Sequence, residues 1–191
     1  QALPELMLAS SLDPETDSAV QTLRAALNLS ATQADSSQRF VTIGRTLGLV
    51  QEWGLSFAAF EKAITLNAEN AVAWAWLGEA KQQTGQDGRV ELDRAVSLDH
   101  TSAIVRGLRG LYWNRQQKYS QMLAEYLLAA EYEPQNPAWQ ASIGAAQLKR
   151  GDLSAALTAY QMATELAPTE STYWRLLAIF CAENNAYLED V

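Results

Sequence analysis

The chain has 191 residues, of which 48% are hydrophobic and 19% are charged, and its formal net charge at pH 7 is −8. This is enough for one elongated domain with a continuous core. The negative charge argues against binding nucleic acid over a broad surface, because phosphate contact needs a basic field. No run approaches the roughly 18 consecutive apolar residues that indicate a membrane-spanning helix, so we expect no membrane insertion.

A helix is predicted near the start of the chain, after Asp13-Pro14-Glu15, where Pro14 takes the first helical position. It carries an apolar stripe made of Val20, Leu23, Ala26, Leu27 and Ala31. We interpret residues 1–36 as a degenerate N-terminal helical segment. Because the first residue is Gln rather than Met, we expect the chain to be a fragment or a processed product.

Residues 37–183 repeat themselves. Phe-x-x-Ile-Gly at 40–44 is followed about 34 residues later by Trp-x-x-Leu-Gly at 74–78, and related letters recur at 140–144 and 174–178. A period of this length is typical of stacked two-helix units. We therefore predict an all-α array over 37–191, with helix pairs at 37–70, 71–102, 103–136 and 137–170 and a partial repeat at 171–191.

Each repeat is numbered from its first residue, so that Ser37 and Pro137 are position 1 of their repeats. Positions 4, 7 and 11 then share one face of the first helix, and positions 20, 24 and 27 share one face of the second. Small residues let the two helices approach closely: Gly44, Gly78, Gly110 and Gly144 at position 8, and Ala63, Ala95, Ala129 and Ala163 at position 27. Large residues at positions 4 and 24 fill the adjoining space, which predicts that Trp74 is largely buried.

Local signals place the helix ends. Asn136 followed by Pro137 indicates a helix N-cap and first helical position, and Gly151-Asp152 indicates the tight turn between two helices. The repeat from Ala71 lacks two residues, because Ala95 must take position 27. We therefore predict a short second helix there, over roughly 89–98.

The repeat from Ala103 departs from the pattern in another way. Arg109 occupies position 7, where an apolar residue belongs, while Leu108 and Tyr112 occupy positions 6 and 10. Its first helix is either rotated or carries one extra residue before Tyr119.

The pattern resembles the tetratricopeptide repeat, in which Trp-x-x-Leu-Gly is followed by Gly, Ala, an aromatic residue, Ala and Pro. The repeat at 137–170 is the strongest match, through Ile143, Gly144, Gly151, Ala156, Tyr160, Ala163 and Pro168. The resemblance covers 37–183 well and 1–36 only loosely. It implies a right-handed superhelical solenoid of antiparallel helix pairs.

The resemblance also implies a binding surface, because positions 2, 5, 9, 12 and 13 of the first helices line the concave face in that family. Here the candidate groove residues are Gln38, Val41, Arg45, Leu49, Val72, Ala75, Glu79, Gln82, Gln83, Asn114, Arg115, Ala141, Ala145, Leu148, Lys149, Arg175 and Ile179. Some family members hold a peptide carboxylate with Lys and Asn at positions 5 and 9. Val41 with Arg45, and Ala75 with Glu79, do not match that pair.

Residues suited to catalysis are scarce. The chain has one His, His100, in a predicted loop, and one Cys, Cys181, on the packed face of a helix. These cannot form a His/Cys zinc site or supply a Ser-His-Asp arrangement, and no phosphate-binding Gly loop is present. We expect no enzyme activity, no metal and no cofactor.

The expected function is a non-catalytic scaffold that binds a protein or peptide partner in its concave groove. The alternative is a regulatory or substrate-guiding repeat region of a larger enzyme, such as a membrane-bound, glycan-processing one. The last predicted helix, 171–183, carries Trp174, Leu177, Ile179 and Phe180 without a complete second helix to cover it. We therefore expect further repeats in the parent protein. For this chain we expect either that residues 184–191 fold back over the helix or that the chain self-associates through this end.

Overall fold

The computed structural model describes residues 36–184. The chain divides into two compact units, one through His100 and one from Thr101, which we call the N-terminal and C-terminal units. The expected degenerate helix before Ser36 and the expected fold-back after Asn184 lie outside the described residues.

Helices joined by short turns make up the described part of each unit, and no strand occurs there. The N-terminal unit contains α1 (Ser36–Leu49), α2 (Trp53–Leu66), α3 (Ala71–Gln83) and α4 (Arg89–Leu98). The C-terminal unit contains α5 (Ala103–Arg115), α6 (Tyr119–Tyr132), α7 (Pro137–Arg150), α8 (Leu153–Leu166) and α9 (Ser171–Glu183). The predicted all-α fold of helix pairs is confirmed.

In three of the helix pairs, a glycine of the first helix packs against an aromatic ring of the second helix. A Cβ atom added to Gly44 would lie 2.5 Å from the ring of Phe60, and one added to Gly144 would lie 2.8 Å from the ring of Tyr160. Gly110 stands in the same relation to Tyr126. These are positions 8 and 24 of each repeat, so the ring packs directly on bare helix backbone.

The two helices of the repeat from Ala71 also pack closely, but without an aromatic ring at the contact. Its second helix, α4, spans Arg89–Leu98, which confirms the predicted short helix. A Cβ atom on Gly88 would collide with the carbonyl oxygen of Gly78, and one on Gly78 would lie 2.9 Å from Leu92. The two glycine backbones therefore touch, and this contact accommodates the two missing residues.

The turn within each of these four pairs passes through one left-handed residue at the same repeat position. Gly85 and Gly151 each have φ of 81°, while Gln51 and Gln117 have φ of 65° and 56°. The following residue donates its N–H to the carbonyl five residues earlier, as Asp152 does to Gln147 at 3.0 Å. This is the hydrogen bond of a Schellman cap, which satisfies a carbonyl at the end of the first helix. The predicted N-cap at Asn136 and turn at Gly151-Asp152 are both confirmed.

The first helix of the repeat from Ala103 keeps the ordinary register, so neither proposed irregularity occurs. Gly110 meets Tyr126 as in the other repeats. Arg109 fits at position 7 because its guanidinium lies 3.3 Å from the carboxylate of Glu125 on α6. An ion pair between the helices therefore replaces an apolar contact.

Trp74, predicted to be largely buried, is partly buried and packs against the core cluster that contains Phe60, Ala63 and Ala73. Its indole N–H donates to the carbonyl of Ala68 at 2.8 Å, in the turn before α3. Cys181, predicted on a packed face, is also partly buried and packs against the core cluster that contains Tyr160 and Phe180.

Candidate functional site

An open cleft of about 940 Å³ lies in the N-terminal unit, on a surface formed by α1 and α3 and by the turn after α1. Apolar, amide, hydroxyl and guanidinium groups line it together, and none of the lining residues described carries a carboxylate. The lining residues are Thr42, Gly44, Arg45, Thr46, Gly48, Leu49, Gln51, Trp53, Trp76 and Gln83.

Helical spacing explains which residues reach the cleft. Arg45 and Thr46 follow Thr42 by three and four residues, and Leu49 follows them by four and three, so the four side chains share one face of α1. The hydroxyl of Thr42 donates to the carbonyl of Gln38 at 3.2 Å, and that of Thr46 donates to the carbonyl of Thr42 at 2.9 Å. The hydrogens of both hydroxyls are therefore already used within α1.

Arg45 and Trp76 form the central contact of the cleft. The guanidinium carbon of Arg45 lies 5.3 Å from the ring centroid of Trp76, within the range of a cation–π interaction. The Trp76 ring in turn stacks on Phe60, with centroids 6.1 Å apart and ring planes inclined by 18°. Because Phe60 is fully buried, the ring that supports Arg45 is itself anchored in the core.

The charge of Arg45 is not neutralised within the part of the chain that the structure describes. No salt bridge or hydrogen bond there involves its guanidinium, which is exposed. Among the described lining residues, the cleft therefore presents one exposed cation that has no ionic partner.

Two buried donors on α3 have no acceptor among the described residues. They are the indole N–H of Trp76 and the side-chain amide of Gln82. A buried donor without an acceptor costs about 1–3 kcal/mol.

The groove residues predicted from the repeat pattern fall into three groups. Arg45, Leu49 and Gln83 line the cleft. Val41, Ala75 and Glu79 are buried, at 0%, 0% and 4% exposure, so they lie beneath the surface and contribute packing. The others are partly buried (Gln38, Val72, Gln82, Asn114, Ala141, Ala145 and Leu148) or exposed (Arg115, Lys149, Arg175 and Ile179).

Several lining residues were absent from the sequence-based set, namely Thr42, Thr46, Gln51, Trp53 and Trp76. Positions 6 and 10 lie on the same helical face as positions 9 and 13. Helical spacing alone would therefore have included Thr42 and Thr46. Trp53 reaches the cleft because its ring packs on Gly48, where an added Cβ atom would lie 2.9 Å away.

No group of three or more His, Cys, Asp or Glu side chains is placed to hold a metal ion between residues 36 and 184. Arg45 is the one charged side chain among the lining residues described. Over the same residues, no helix has the length and apolar character needed to cross a bilayer.

No protein-family model matches the sequence, and no curated protein does. Among solved structures, TTC0263, a thermophilic TPR protein from Thermus thermophilus, matches with a TM-score of 0.72 at 17% identity. That match covers 95% of this chain and 97% of the other.

Two further solved structures are similar. The structure of pilF from Pseudomonas aeruginosa has a TM-score of 0.69 at 16% identity, covering 80% of this chain and 70% of that one. The Cut9–Hcn1 hetero-tetramer of the APC/C matches with a TM-score of 0.70 at 14% identity, covering 87% of this chain and 34% of that one. The chain therefore has the fold of a tetratricopeptide-repeat protein.

Proposed function

We propose that the chain is a non-catalytic interaction scaffold that binds an extended peptide, or a helix of a partner protein, in the cleft on α1 and α3. The observation that carries this proposal is the cleft itself. Its volume of about 940 Å³ is near the upper end of the range for ligand pockets, and it is open to solvent along two consecutive first helices.

The lining suits a peptide better than a small metabolite. Leu49 and Trp53 offer apolar contact, while Gln51 and Gln83 offer amide groups beside them. A peptide needs both, because its side chains seek apolar contact and its backbone seeks donors and acceptors. The amide of Gln83 already donates to Glu79 at 2.8 Å, which holds the Gln83 side chain in place.

The similar structures support a role in assembly. Cut9 is a protein of this fold that was solved in complex with a different protein, Hcn1. A scaffold function for this chain agrees with that arrangement, although the partner of this chain need not be related to Hcn1.

Selection of short random peptides from a phage-displayed library tests the proposal. Selected peptides are then titrated, by fluorescence anisotropy, against two variants with the same chemical change. Leu49→Asp places a charge in the cleft, where Leu49 is 85% exposed, and Val90→Asp places one outside it, where Val90 is 75% exposed. We expect Leu49→Asp to abolish binding and Val90→Asp to preserve it. Equal effects of the two changes would contradict the proposal.

We propose a second contact surface on α9, through which the chain self-associates. Trp174 and Ile179 on this helix are 50% and 46% exposed, so both large apolar side chains are accessible to a partner. The two lie five residues apart, with exposed Arg175 and Ala178 between them. Sedimentation velocity should show a concentration-dependent dimer that Ile179→Asp disrupts and Val90→Asp leaves unchanged. A dimer that survives Ile179→Asp would exclude this surface.

A further inference from the structure

We propose that the cleft recognises a carboxylate, carried by an acidic side chain that is flanked by apolar residues in the partner. Arg45 is the group that binds it, and Trp76 holds Arg45 in place. This inference rests on the proposed function and adds the chemistry of the bound segment.

The first argument is charge. Arg45 is the one charged side chain among the described lining residues, and no carboxylate pairs with it within the described part of the chain. The net charge of −8 acts at longer range. At physiological salt the Debye length is about 8 Å, so a ligand group inside the cleft interacts mainly with the nearby charge of Arg45, and distant charges are largely screened.

The second argument is geometry. A guanidinium is a planar fork whose N–H groups match the two oxygens of a carboxylate. In this cleft the guanidinium carbon of Arg45 lies over the Trp76 ring, 5.3 Å from its centroid, and no described residue pairs with its N–H groups. Trp76 is stacked on the buried ring of Phe60, so the support is rigid and less side-chain freedom is lost on binding.

The third argument is an unmet hydrogen bond. The indole N–H of Trp76 is buried without an acceptor among the described residues. A carboxylate has two oxygens, so one that binds Arg45 keeps a second oxygen that can accept from a neighbouring donor. A basic side chain of the partner has no acceptor, and a neutral one would leave the positive charge of Arg45 unpaired.

The apolar lining indicates what flanks the carboxylate. Leu49 and Trp53 border the same cleft. The probe is therefore a short, fluorescein-labelled peptide with a central Leu-Asp-Asp-Leu segment. Its control is the isosteric peptide Leu-Asn-Asn-Leu, which keeps the shape and removes the charge.

The experiment measures both peptides against wild type, Arg45→Gln and Arg39→Gln by fluorescence anisotropy. Arg39 lies on the same helix outside the cleft lining, so its variant makes the same charge change elsewhere. We expect wild type and Arg39→Gln to prefer the Asp peptide by about tenfold, as a charge-assisted hydrogen bond requires, and Arg45→Gln to lose that preference. Thermal melts by circular dichroism confirm that each variant is folded.

A Trp76→Phe variant separates the ring from its N–H. It keeps an aromatic face under Arg45 and removes the donor, so we expect the Asp peptide to bind several-fold more weakly, with the preference over the Asn peptide retained. Unchanged affinity would exclude the indole N–H as a ligand group.

Two results would overturn the inference: no preference for the Asp peptide, or equal effects of Arg45→Gln and Arg39→Gln. The proposed function is judged separately. If display-selected peptides bind and Leu49→Asp abolishes their binding, the scaffold role stands even when the carboxylate preference is absent. If Leu49→Asp does not weaken the binding of any selected peptide, the proposed scaffold role of this cleft is contradicted.

Discussion

The guanidinium of Arg109 lies 3.3 Å from the carboxylate of Glu125. The same repeat position is occupied by an apolar residue in three other repeats, namely Ile43, Leu77 and Ile143. Arg106 approaches the other oxygen of the same carboxylate at 3.1 Å. All three charged groups are mostly buried, so the pairing between α5 and α6 compensates for lost hydration.

The first prediction concerns this cluster. Glu125→Gln removes the negative charge that both guanidinium groups contact and should lower the free energy of unfolding by about 3–5 kcal/mol. Urea denaturation measures the change. Replacing all three residues with leucine should be neutral or stabilising, by up to about 4 kcal/mol, because no charge is then left buried. A Glu125→Gln protein as stable as wild type would contradict this account.

The second prediction concerns the left-handed glutamines in the turns. Gln117 has φ of 56°, a conformation that costs a side-chain-bearing residue about 1–2 kcal/mol and glycine little. Gln117→Gly should therefore raise the free energy of unfolding by about 0.5–1 kcal/mol, after the entropy cost of glycine. Gln117→Val should lower it, because a β-branched residue tolerates this φ poorly. The same urea experiment distinguishes them, and a stabilising valine would refute the turn geometry.

The third prediction compares two glycine-to-alanine changes in the N-terminal unit. A methyl group on Gly88 would collide with the backbone of Gly78, whereas one on Gly54 in α2 would meet nothing within 4 Å. Gly88→Ala should cost about 3 kcal/mol or more, because backbone has to move. Gly54→Ala should stabilise by up to about 1 kcal/mol through helix propensity. Thermal melts suffice, and similar melting temperatures for the two variants would contradict the close approach.

The fourth prediction concerns alkaline pH. Burial raises the pKa of the Tyr160 phenol, and the negative charge of Glu183 raises it further. The folded state therefore keeps the phenol proton at a pH where an unfolded tyrosine, with a pKa near 10, has released it. The contribution of this proton to the free energy of unfolding is fully present below about pH 10 and is lost as the pH rises through the pKa of the folded state. Tyr160→Phe should lose less stability than wild type above about pH 10, and Glu183→Gln should fall between them. Urea midpoints measured across that range check this; identical pH profiles would contradict it.

The repeat period predicted the helices well for a physical reason. Glycine at position 8 and alanine at position 27 let the two helices of a pair approach closely, so these letters indicate the register of a pair. That is why Ala95, with Leu98 after it, placed the short helix at 89–98. The register of the repeat from Ala103 stayed open, because the ion pair that seats Arg109 joins residues on two helices and leaves no periodic signal.

The site was less predictable than the fold. The repeat pattern identifies which face of a first helix is inward, but the next helix decides how much of that face is covered. Val41 and Ala75 are therefore buried although their positions were assigned to the groove. The contact between Arg45 and Trp76 also depends on tertiary packing, because it joins neighbouring repeats through side chains at different repeat positions.

The most direct measurement of the central claim is a nitrogen–proton NMR titration of the chain with a display-selected peptide. Trp76→Phe assigns the indole signal of Trp76, and the backbone signals near Arg45, Leu49 and Gln83 report on the rest of the cleft. Our account predicts that these signals shift together, saturate with one affinity, and stay still when the peptide is added to Leu49→Asp. A peptide that binds while the Trp76 indole and the cleft signals remain unchanged would contradict it.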